Sequence, residues 1–141
     1  MERPSEASPL ESAVARVGDR WTLLIVDALL SGPRRFNDLD EAIEGIAPNV
    51  LSQRLKALER DAVVISRPYS TRPPRSEYEL TAAGRELAGA LRLLAHWGAR
   101  GSEASEAARH TACGTPLEVR WYCPTCVEVV AEEQVAEVRY L

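Results

Sequence analysis

The stretch GIAPNVLSQRLKALERDAVV, residues 45–64, decides the fold. Leu51, Leu55 and Leu58 recur at helical spacing and predict one apolar helix face. Pro48 suits the first position of that helix, because a residue there has no intrahelical partner for an N–H. The opposite face carries mostly short hydrogen-bonding side chains instead of the usual Glu and Lys, namely Asn49, Ser52, Gln53 and Lys56. What this face binds depends on the elements around it.

Two further helices are predicted before this one. From residue 14 to residue 30 apolar side chains recur at helical spacing, and Gly32 and Pro33 then end the helix. Residues 36–44 form the second predicted helix. Gly45 follows and suits a turn that requires a positive φ. The predicted order is therefore helix, helix, tight turn, helix.

A two-stranded hairpin is predicted after the third helix. AVVISRP (residues 62–68) and SEYELT (residues 76–81) are rich in the strand-forming residues Val, Ile and Tyr. The segment between them, YSTRPPR (residues 69–75), is rich in Pro and Arg and indicates an exposed loop. Thr81 is then expected to cap a long helix that runs to about Gly101.

The C-terminal segment differs in composition from the rest of the chain. GARGSEASEAAR, residues 98–109, indicates a hinge, and PLEVRWYC and VEVVAEEQVAEVRYL beyond it predict a short, acidic, β-rich tail. We therefore expect one domain at residues 1–100, followed by a hinge and a small β tail at residues 101–141.

Length and composition suit one modest domain with a small appendage, since the chain has 141 residues, of which 45% are hydrophobic and 27% charged. The N-terminus, MERPSEASPLESAV, lacks a basic and then apolar leader, and the apolar runs are too short to span a bilayer. Three cysteines, an odd count, argue against a secreted disulfide scaffold. We therefore expect a cytoplasmic protein without a membrane partner. No Ser/His/Asp or paired-carboxylate arrangement stands out, so we expect no enzymatic activity.

The charges are unevenly distributed along the chain. Residues 32–80 carry eight basic and eight acidic side chains, whereas residues 103–141 carry three basic and seven acidic ones. The C-terminal segment therefore accounts for the whole formal net charge of −4. A basic surface that meets nucleic acid is expected in the middle of the chain.

The order helix, helix, tight turn, helix, hairpin is that of a winged helix-turn-helix, so we expect a mainly α fold with a small β part (α+β). The third helix then packs its leucines on the first two helices and presents its polar face to a DNA major groove. Asn and Gln can bond adenine in two places, Ser reads several base edges, and Lys meets guanine or phosphate. The expected base-reading residues are Asn49, Ser52 and Gln53, with Lys56 beside them.

Four arginines are expected to contact the DNA backbone. Arg72 and Arg75 lie on the loop between the strands and would reach phosphates or the adjoining minor groove. Arg34 and Arg35 precede the second helix and could touch phosphate. The alternative is a winged-helix module that binds a protein and not DNA, because the order of elements alone does not fix the function.

Three segments in this order resemble the HxlR-type family of bacterial transcriptional regulators: VGDRWTLLIVDALLSGPRRFNDL, GIAPNVLSQRLKALERDAVV and YSTRPPRSEYELTAAGREL. The resemblance runs from about Ser8 to Gly98. It implies a homodimer that forms through the N-terminal segment and the long helix after the wing. It also implies a pseudo-palindromic operator with half-sites roughly 34 Å apart. The implied interface residues are Leu87, Leu91, Leu94 and Trp97, although intrachain packing remains an alternative for some of them.

Two positions depart from the family pattern. Family members often carry a cysteine before a proline near the N-terminus, which in some of them senses oxidants or electrophiles, but this chain has Ser8 before Pro9. A serine has no thiolate, so that mechanism is not available at this position. The family commonly has Ser or Thr before the proline of the third helix, where this chain has Ala47. The lost N-cap costs on the order of 1 kcal/mol.

The tail contains a second chemical feature, HTACGTPLEVRWYCPTC. Its spacing predicts one structural zinc ion per chain in a site like a small zinc ribbon, because tetrahedral Cys₃His sites close fully around zinc. The four candidate ligands are His110, Cys113, Cys123 and Cys126. Two alternatives stay open: a thiol–disulfide switch between the last two cysteines, and a metal-free β appendage. All three fit a tail that tunes the dimer or the pocket of an unidentified small-molecule or redox effector.

Overall fold

The computed structural model describes residues 7–100 and 108–135. The chain divides into two compact units, residues 1–95 and residues 96–141. We call residues 7–95 the winged unit and residues 108–135 the C-terminal unit. Most of the predicted hinge and the end of the predicted β tail lie outside the described residues. Among the helices that the structure describes, none has the length and apolar character needed to cross a membrane.

The first predicted helix is wrong as a single element, because the structure divides it in two. α1 (Pro9–Val17) and α2 (Arg20–Leu29) are separated by Gly18 and Asp19. A Cβ atom on Gly18 would lie 2.5 Å from the carbonyl oxygen of Val14, so this close turn favours glycine. The Asp19 carboxylate then begins α2 by accepting hydrogen bonds from two backbone N–H groups of its first turn.

A capping box begins α1. Ser8 Oγ accepts a hydrogen bond from the Glu11 N–H at 3.1 Å, and Glu11 Oε2 accepts one from the Ser8 N–H at 2.6 Å. The two side chains thus satisfy N–H groups that the start of a helix leaves free. The serine at the family's cysteine position therefore caps a helix in this chain.

The second and third predicted helices are confirmed. A short strand, β1 (Arg34–Arg35), leads into α3 (Phe36–Ala42), and α4 (Pro48–Arg60) follows. Gly45 lies in the turn between the two helices with φ +82°, as its predicted role requires. Together these elements form the helix-turn-helix.

The predicted hairpin is confirmed, but its strands are longer than expected. β2 (Val64–Thr71) and β3 (Pro74–Leu80) run antiparallel, and β1 joins them in the order β1-β3-β2. The loop predicted over residues 69–75 is wrong for most of its length, because only residues 72 and 73 form the turn. Pro68 is accommodated because β2 is an edge strand, where a missing N–H need not break a ladder bond.

The long helix predicted from Thr81 onward is also wrong as a single element. A turn at residues 86–87 separates α5 (Ala82–Arg85) from α6 (Ala88–Gly98). Thr81 does cap α5, since its Oγ1 accepts a hydrogen bond from the N–H of the third helical residue at 3.1 Å. That third residue is Gly84, where a Cβ atom would lie 2.3 Å from a backbone carbonyl oxygen at the start of the hairpin.

One apolar core holds the winged unit together. The leucines of α4 lie at its centre, with exposed fractions of 0% for Leu51 and 1% each for Leu55 and Leu58. Around them are buried aliphatic side chains from α2, α3, the hairpin and α6, including Ile25, Val26, Leu29, Leu39, Val64, Leu80 and Leu91. α4 is therefore fixed by its apolar face, as the sequence predicts.

The C-terminal unit is built differently. Two three-residue strands, β4 (Trp121–Cys123) and β5 (Glu128–Val130), pair antiparallel, and Arg109 forms an isolated bridge with Pro116. A short 3₁₀ turn follows. None of the residues from 108 to 135 is buried. This unit therefore has no apolar core of its own within the described residues.

Candidate nucleic-acid interface

The polar face of α4 is exposed along the side opposite its leucines. Asn49, Gln53 and Lys56 are exposed, and Ser52 is half-buried. Their spacing of three and four residues places them on one helix face. The sequence-predicted base-reading residues are therefore brought together on one surface of the winged unit.

The N-terminus of α4 lacks a side-chain cap. Ala47 occupies the N-cap position with extended backbone angles and makes no side-chain hydrogen bond, and Pro48 follows at the first helical position. The N–H groups of the first turn therefore have no side-chain acceptor from the cap. Free N–H groups at a helix N-terminus suit a phosphate oxygen.

The hairpin supplies two exposed arginines. Arg72 lies in the turn and Arg75 near the start of β3, and both are exposed. Neither is among the ion pairs found within residues 7–100 and 108–135, which involve Arg54, Arg67 and Arg120. Both guanidinium groups are therefore available to an anionic partner.

Arg75 also lines a groove between the hairpin and the start of α3. The groove has a volume of about 640 Å³ and is further lined by Arg35, Tyr69 and Tyr78. The Arg35 guanidinium carbon lies 4.3 Å from the centroid of the Tyr69 ring, a cation–π contact that holds the cation over the hairpin. Two predicted phosphate contacts, far apart in sequence, thus share one groove.

One of the two tyrosines that line this groove, Tyr78, keeps its proton. Burial raises the pKa of Tyr78, and the nearby Glu59 carboxylate raises it further. At neutral pH the Tyr78 hydroxyl is therefore neutral and can donate a hydrogen bond.

Arg34 differs from its neighbour Arg35. Arg34 Nε donates to the carbonyl oxygen of Ala28 at 2.9 Å, and Arg34 Nη2 donates to Ser31 Oγ at 3.1 Å. The half-buried side chain thus joins β1 to the end of α2. The structure gives Arg34 an intramolecular role, whereas Arg35 projects into the groove.

The ion pairs further restrict which cations are free. On α4, Arg54 Nε lies 3.2 Å from Asp19 Oδ1, and across the hairpin Arg67 Nε lies 2.7 Å from Glu79 Oε1. Lys56 forms no ion pair among the described residues. Among the described residues of β1, α4 and the hairpin, the cations outside these ion pairs and outside the Arg34 hydrogen bonds are Arg35, Lys56, Arg60, Arg72 and Arg75.

The four residues predicted at a dimer interface fall into two groups. Leu91 is buried in the chain's own core, and Leu87 packs against that core. Leu94 and Trp97 are exposed, at 53% and 69%. The structure therefore gives the first two residues intrachain partners and leaves the last two open to solvent.

The four predicted zinc ligands lie in two pairs. His110 Nδ1 is 3.3 Å from Cys113 Sγ, and the Cys126 N–H points to Cys123 Sγ at 3.5 Å. Hydrogen bonding with Thr115 lowers the pKa of the Cys113 thiol, and hydrogen bonding with Cys126 and Thr125 lowers the pKa of the Cys123 thiol. In the part of the chain that the structure describes, no three His, Cys, Asp or Glu side chains are grouped as a metal ion requires.

Sequence reasoning missed the aromatic members of the groove. Tyr69 was assigned to an exposed loop, but it lies in β2 and stacks on Arg35. No local pattern indicates this contact, because it depends on the pairing of β1 and β2 with β3.

The family model described as HxlR-like helix-turn-helix matches residues 16–106. The chain belongs to the HxlR family. The predicted resemblance and the winged helix-turn-helix fold are thereby confirmed. The family is one of transcriptional regulators and not of enzymes, as the sequence predicts.

Three relatives show how far the similarity of this HxlR-family chain extends. The HTH-type transcriptional regulator Rv3095 of Mycobacterium tuberculosis is 37% identical, over 92% of this chain and 84% of its own length. The solved structure of PA1374 from Pseudomonas aeruginosa is 30% identical with a TM-score of 0.68, and covers 92% of this chain and 90% of its own. The redox regulator HypR in its reduced form is 29% identical with a TM-score of 0.64, and covers 68% of this chain and 95% of its own.

The coverage separates two kinds of relative. A match over 92% of this chain extends into the C-terminal unit, as it does for Rv3095 and PA1374. HypR is matched over 95% of its own length by 68% of this chain. The length that HypR shares with this chain is thus shorter than the length that Rv3095 and PA1374 share with it.

Proposed function

We propose that this HxlR-family protein is a transcriptional regulator that binds a pseudo-palindromic DNA site as a homodimer. The observation that carries the proposal is the exposed polar face of α4. Three leucines on the opposite face of the helix, each with an exposed fraction of 1% or less, hold α4 against the core. A rigid helix with short amide and hydroxyl side chains suits the edges of bases in a major groove. A regulator of bacterial genes acts on DNA in the cytoplasm, where we expect this protein.

Asn49, Ser52 and Gln53 are the proposed base-reading residues. They occupy the first half of α4, which in helix-turn-helix proteins supplies most base contacts. An amide that bonds adenine in two places discriminates against other bases by about 1–3 kcal/mol. We therefore expect Gln53→Ala and Ser52→Ala to relax sequence preference more than they weaken binding to unrelated DNA.

The groove between the hairpin and α3 is the proposed site for phosphates. Arg35 and Arg75 line it from opposite elements, and Arg72 extends the positive charge to the hairpin turn. Each phosphate contact contributes roughly 0.9 to the slope of log affinity against log salt. Arg75→Ala is therefore expected to weaken binding to all sequences and lower that slope by about one unit.

A homodimer is proposed on the exposed apolar side chains of α1 and α6. Leu10 and Val14 are 73% and 56% exposed, and Leu94 and Trp97 are also open to solvent. Exposed apolar side chains on two helices favour association with another copy. Leu94→Glu is expected to give a monomer in analytical ultracentrifugation while the winged unit stays folded. A wild-type monomer would contradict the palindromic half of the proposal.

The main experiment uses purified protein and sheared DNA from its own genome. Fragments retained at low salt identify the preferred site, and fluorescence anisotropy then measures affinity over a salt series. A steep log–log slope with two chains per site supports the proposal. Binding without any site preference at low salt would favour the protein-interaction alternative.

Matched variants separate base reading from charge. Arg120→Ala removes an exposed arginine of the C-terminal unit that pairs with Glu118, and is expected to leave DNA binding unchanged. If Arg120→Ala weakened binding as much as Arg75→Ala, the groove would have no special role. If Gln53→Ala kept the site preference intact, the assigned reading face would be wrong.

The effector of the regulator is a separate question. HypR is called a redox regulator, but Ser8 in this chain caps α1 and cannot form a thiolate. The three cysteines all lie in the C-terminal unit. A redox or metal signal would therefore act through that unit and not through the N-terminal position.

A further inference from the structure

We propose that His110, Cys113, Cys123 and Cys126 bind one zinc ion, which joins two matching turns and holds the C-terminal unit together. The proposal concerns this unit alone and does not depend on DNA binding. The unit has no apolar core within the described residues 108–135, since none of them is buried and only Cys123 and Val130 are half-buried. The compact unit to which these residues belong spans only residues 96–141, and scaffolds of fewer than roughly 70–80 residues often add a metal, disulfides or a partner to stay folded.

The two turns have the same backbone pattern. In each, a first candidate ligand is followed three residues later by a second, and the next residue has a positive φ, +72° at Gly114 and +58° at Val127. The Gly114 N–H donates to the His110 carbonyl oxygen at 2.7 Å, and the Val127 N–H donates to the Cys123 carbonyl oxygen at 2.8 Å. One hydrogen-bond pattern thus presents two ligand side chains from each turn.

Val127 indicates that the second turn is constrained. A β-branched residue with a positive φ is a strained outlier, and glycine would be the ordinary choice there. Such strain persists where the surroundings fix the conformation, and it concentrates at ligand and switch sites. Because this unit has no buried core within the described residues, packing does not supply that constraint. A metal ion held by Cys123 and Cys126 would supply it.

The side-chain ligand atoms of the first pair are spaced suitably for one ion. Two ligand atoms on a tetrahedral zinc, one sulfur and one nitrogen, lie roughly 3.6 Å apart, given the usual Zn–S and Zn–N bond lengths. His110 Nδ1 and Cys113 Sγ are 3.3 Å apart. In the second pair, the N–H of Cys126 points to Cys123 Sγ at 3.5 Å, which keeps the two cysteines adjacent in one turn.

The ion must bring the two turns together. Within residues 7–100 and 108–135 no three ligand-type side chains are grouped around one point, so closure of both turns on the metal is part of the proposal. Binding replaces the thiol protons by zinc: three thiols release three protons to solvent, and the imidazole binds in its neutral form. A disulfide between Cys123 and Cys126 would close only one turn and would leave the matching His110 turn without a role.

The test uses the full, untagged chain, reduced and stripped of metal. Zinc is titrated against a chromophoric chelator, the stoichiometry is read by native mass spectrometry, and cobalt replaces zinc to report tetrahedral thiolate ligands by absorption. We expect one ion per chain and protection of the three thiols from a thiol reagent. His110→Gln and Cys126→Ser are each expected to weaken zinc binding by roughly 100-fold or more, since even loss of an outer-shell partner costs 10–100-fold.

Matched controls use neighbouring or identical residue types. His96→Gln changes the other histidine of the chain, and Thr125→Ser changes a residue of the second turn that is not a proposed ligand. Both should keep wild-type affinity. A chain that binds no zinc, or whose affinity survives His110→Gln, overturns the four-ligand site. A chain that binds no added zinc and forms a Cys123–Cys126 disulfide under mild oxidation overturns it in favour of a redox pair.

Discussion

The winged unit and the C-terminal unit differ in what holds each of them together. In the winged unit, fourteen apolar side chains are buried in one core, which holds α4 and the hairpin in place. In the C-terminal unit, large apolar side chains such as Trp121, Tyr122 and Val129 are more than half exposed. Packing of apolar side chains therefore stabilises the winged unit. The C-terminal unit has mainly turns and hydrogen bonds, which need a further interaction to hold the unit folded. The candidate functional side chains follow this difference, since a packed core positions the proposed DNA-binding face and local turns position the candidate ligands.

The largest change in stability is expected when one apolar side chain in each unit is truncated. Leu55→Ala removes a side chain that is 1% exposed, and is expected to lower the free energy of unfolding by roughly 2–5 kcal/mol. Val129→Ala removes one that is 59% exposed and should change it by less than about 0.5 kcal/mol. Urea unfolding followed by circular dichroism measures both. Equal losses of unfolding free energy would mean that Val129 belongs to an apolar core of the C-terminal unit, despite its large exposed fraction.

The next test adds one methyl group at two glycines of the winged unit. Gly84→Ala places a Cβ atom 2.3 Å from the Val63 carbonyl oxygen, so α5 must move away from the hairpin. We expect a loss of roughly 1–3 kcal/mol in the free energy of unfolding. Gly89→Ala meets no atom within 4 Å and lies in α6, so it should raise stability by roughly 0.5–1 kcal/mol. If both variants shifted the thermal midpoint in the same direction, close packing at Gly84 would not be the cause of the stability change in Gly84→Ala.

Sequence patterns predicted α4 well because several independent signals agree there. Gly45 marks the turn, Pro48 the start, and three leucines the buried face. The two helices predicted too long failed for a shared reason. Apolar periodicity continues across a short break, whereas the break itself depends on local geometry, as at Gly18 and at residues 86–87. Periodicity therefore reports the face of a helix better than its ends.

The candidate DNA surface was only partly predictable for a different reason. The exposed face of α4 follows directly from helical spacing. Arg34 and Arg35, however, look equivalent in sequence, and only the pairing of β1 with β3 separates them. Arg34 then bonds a carbonyl of α2, while Arg35 stacks on Tyr69. Contacts between distant segments require the sheet register, which the sequence pattern does not contain.

A smaller effect is expected where the C-terminal unit is strained. Val127 has φ +58°, a conformation that costs a residue with a Cβ atom about 1–2 kcal/mol and glycine little. Val127→Gly should therefore stabilise the second turn by about 1 kcal/mol, after glycine's larger loss of backbone entropy is subtracted. Amide hydrogen exchange of a peptide covering residues 121–130 should slow by roughly fivefold at fixed zinc loading. Thr125→Gly, in the same turn without a positive φ, should instead speed exchange.

The smallest expected effect lies at the corresponding imperfection of the winged unit, the uncapped start of α4. Ala47 has φ −77° and ψ 141°, which a capping serine adopts without strain. Ala47→Ser should therefore raise the free energy of unfolding by roughly 0.5–1 kcal/mol, and Ala57→Ser in the middle of α4 should lower it by about 0.5 kcal/mol. Because the serine Oγ would accept a hydrogen bond from an N–H group that the uncapped α4 offers to a phosphate, DNA affinity should fall without a change in site preference. A stabilised variant with unchanged affinity would mean that the α4 N-terminus does not meet a phosphate, and that its missing cap matters only for folding.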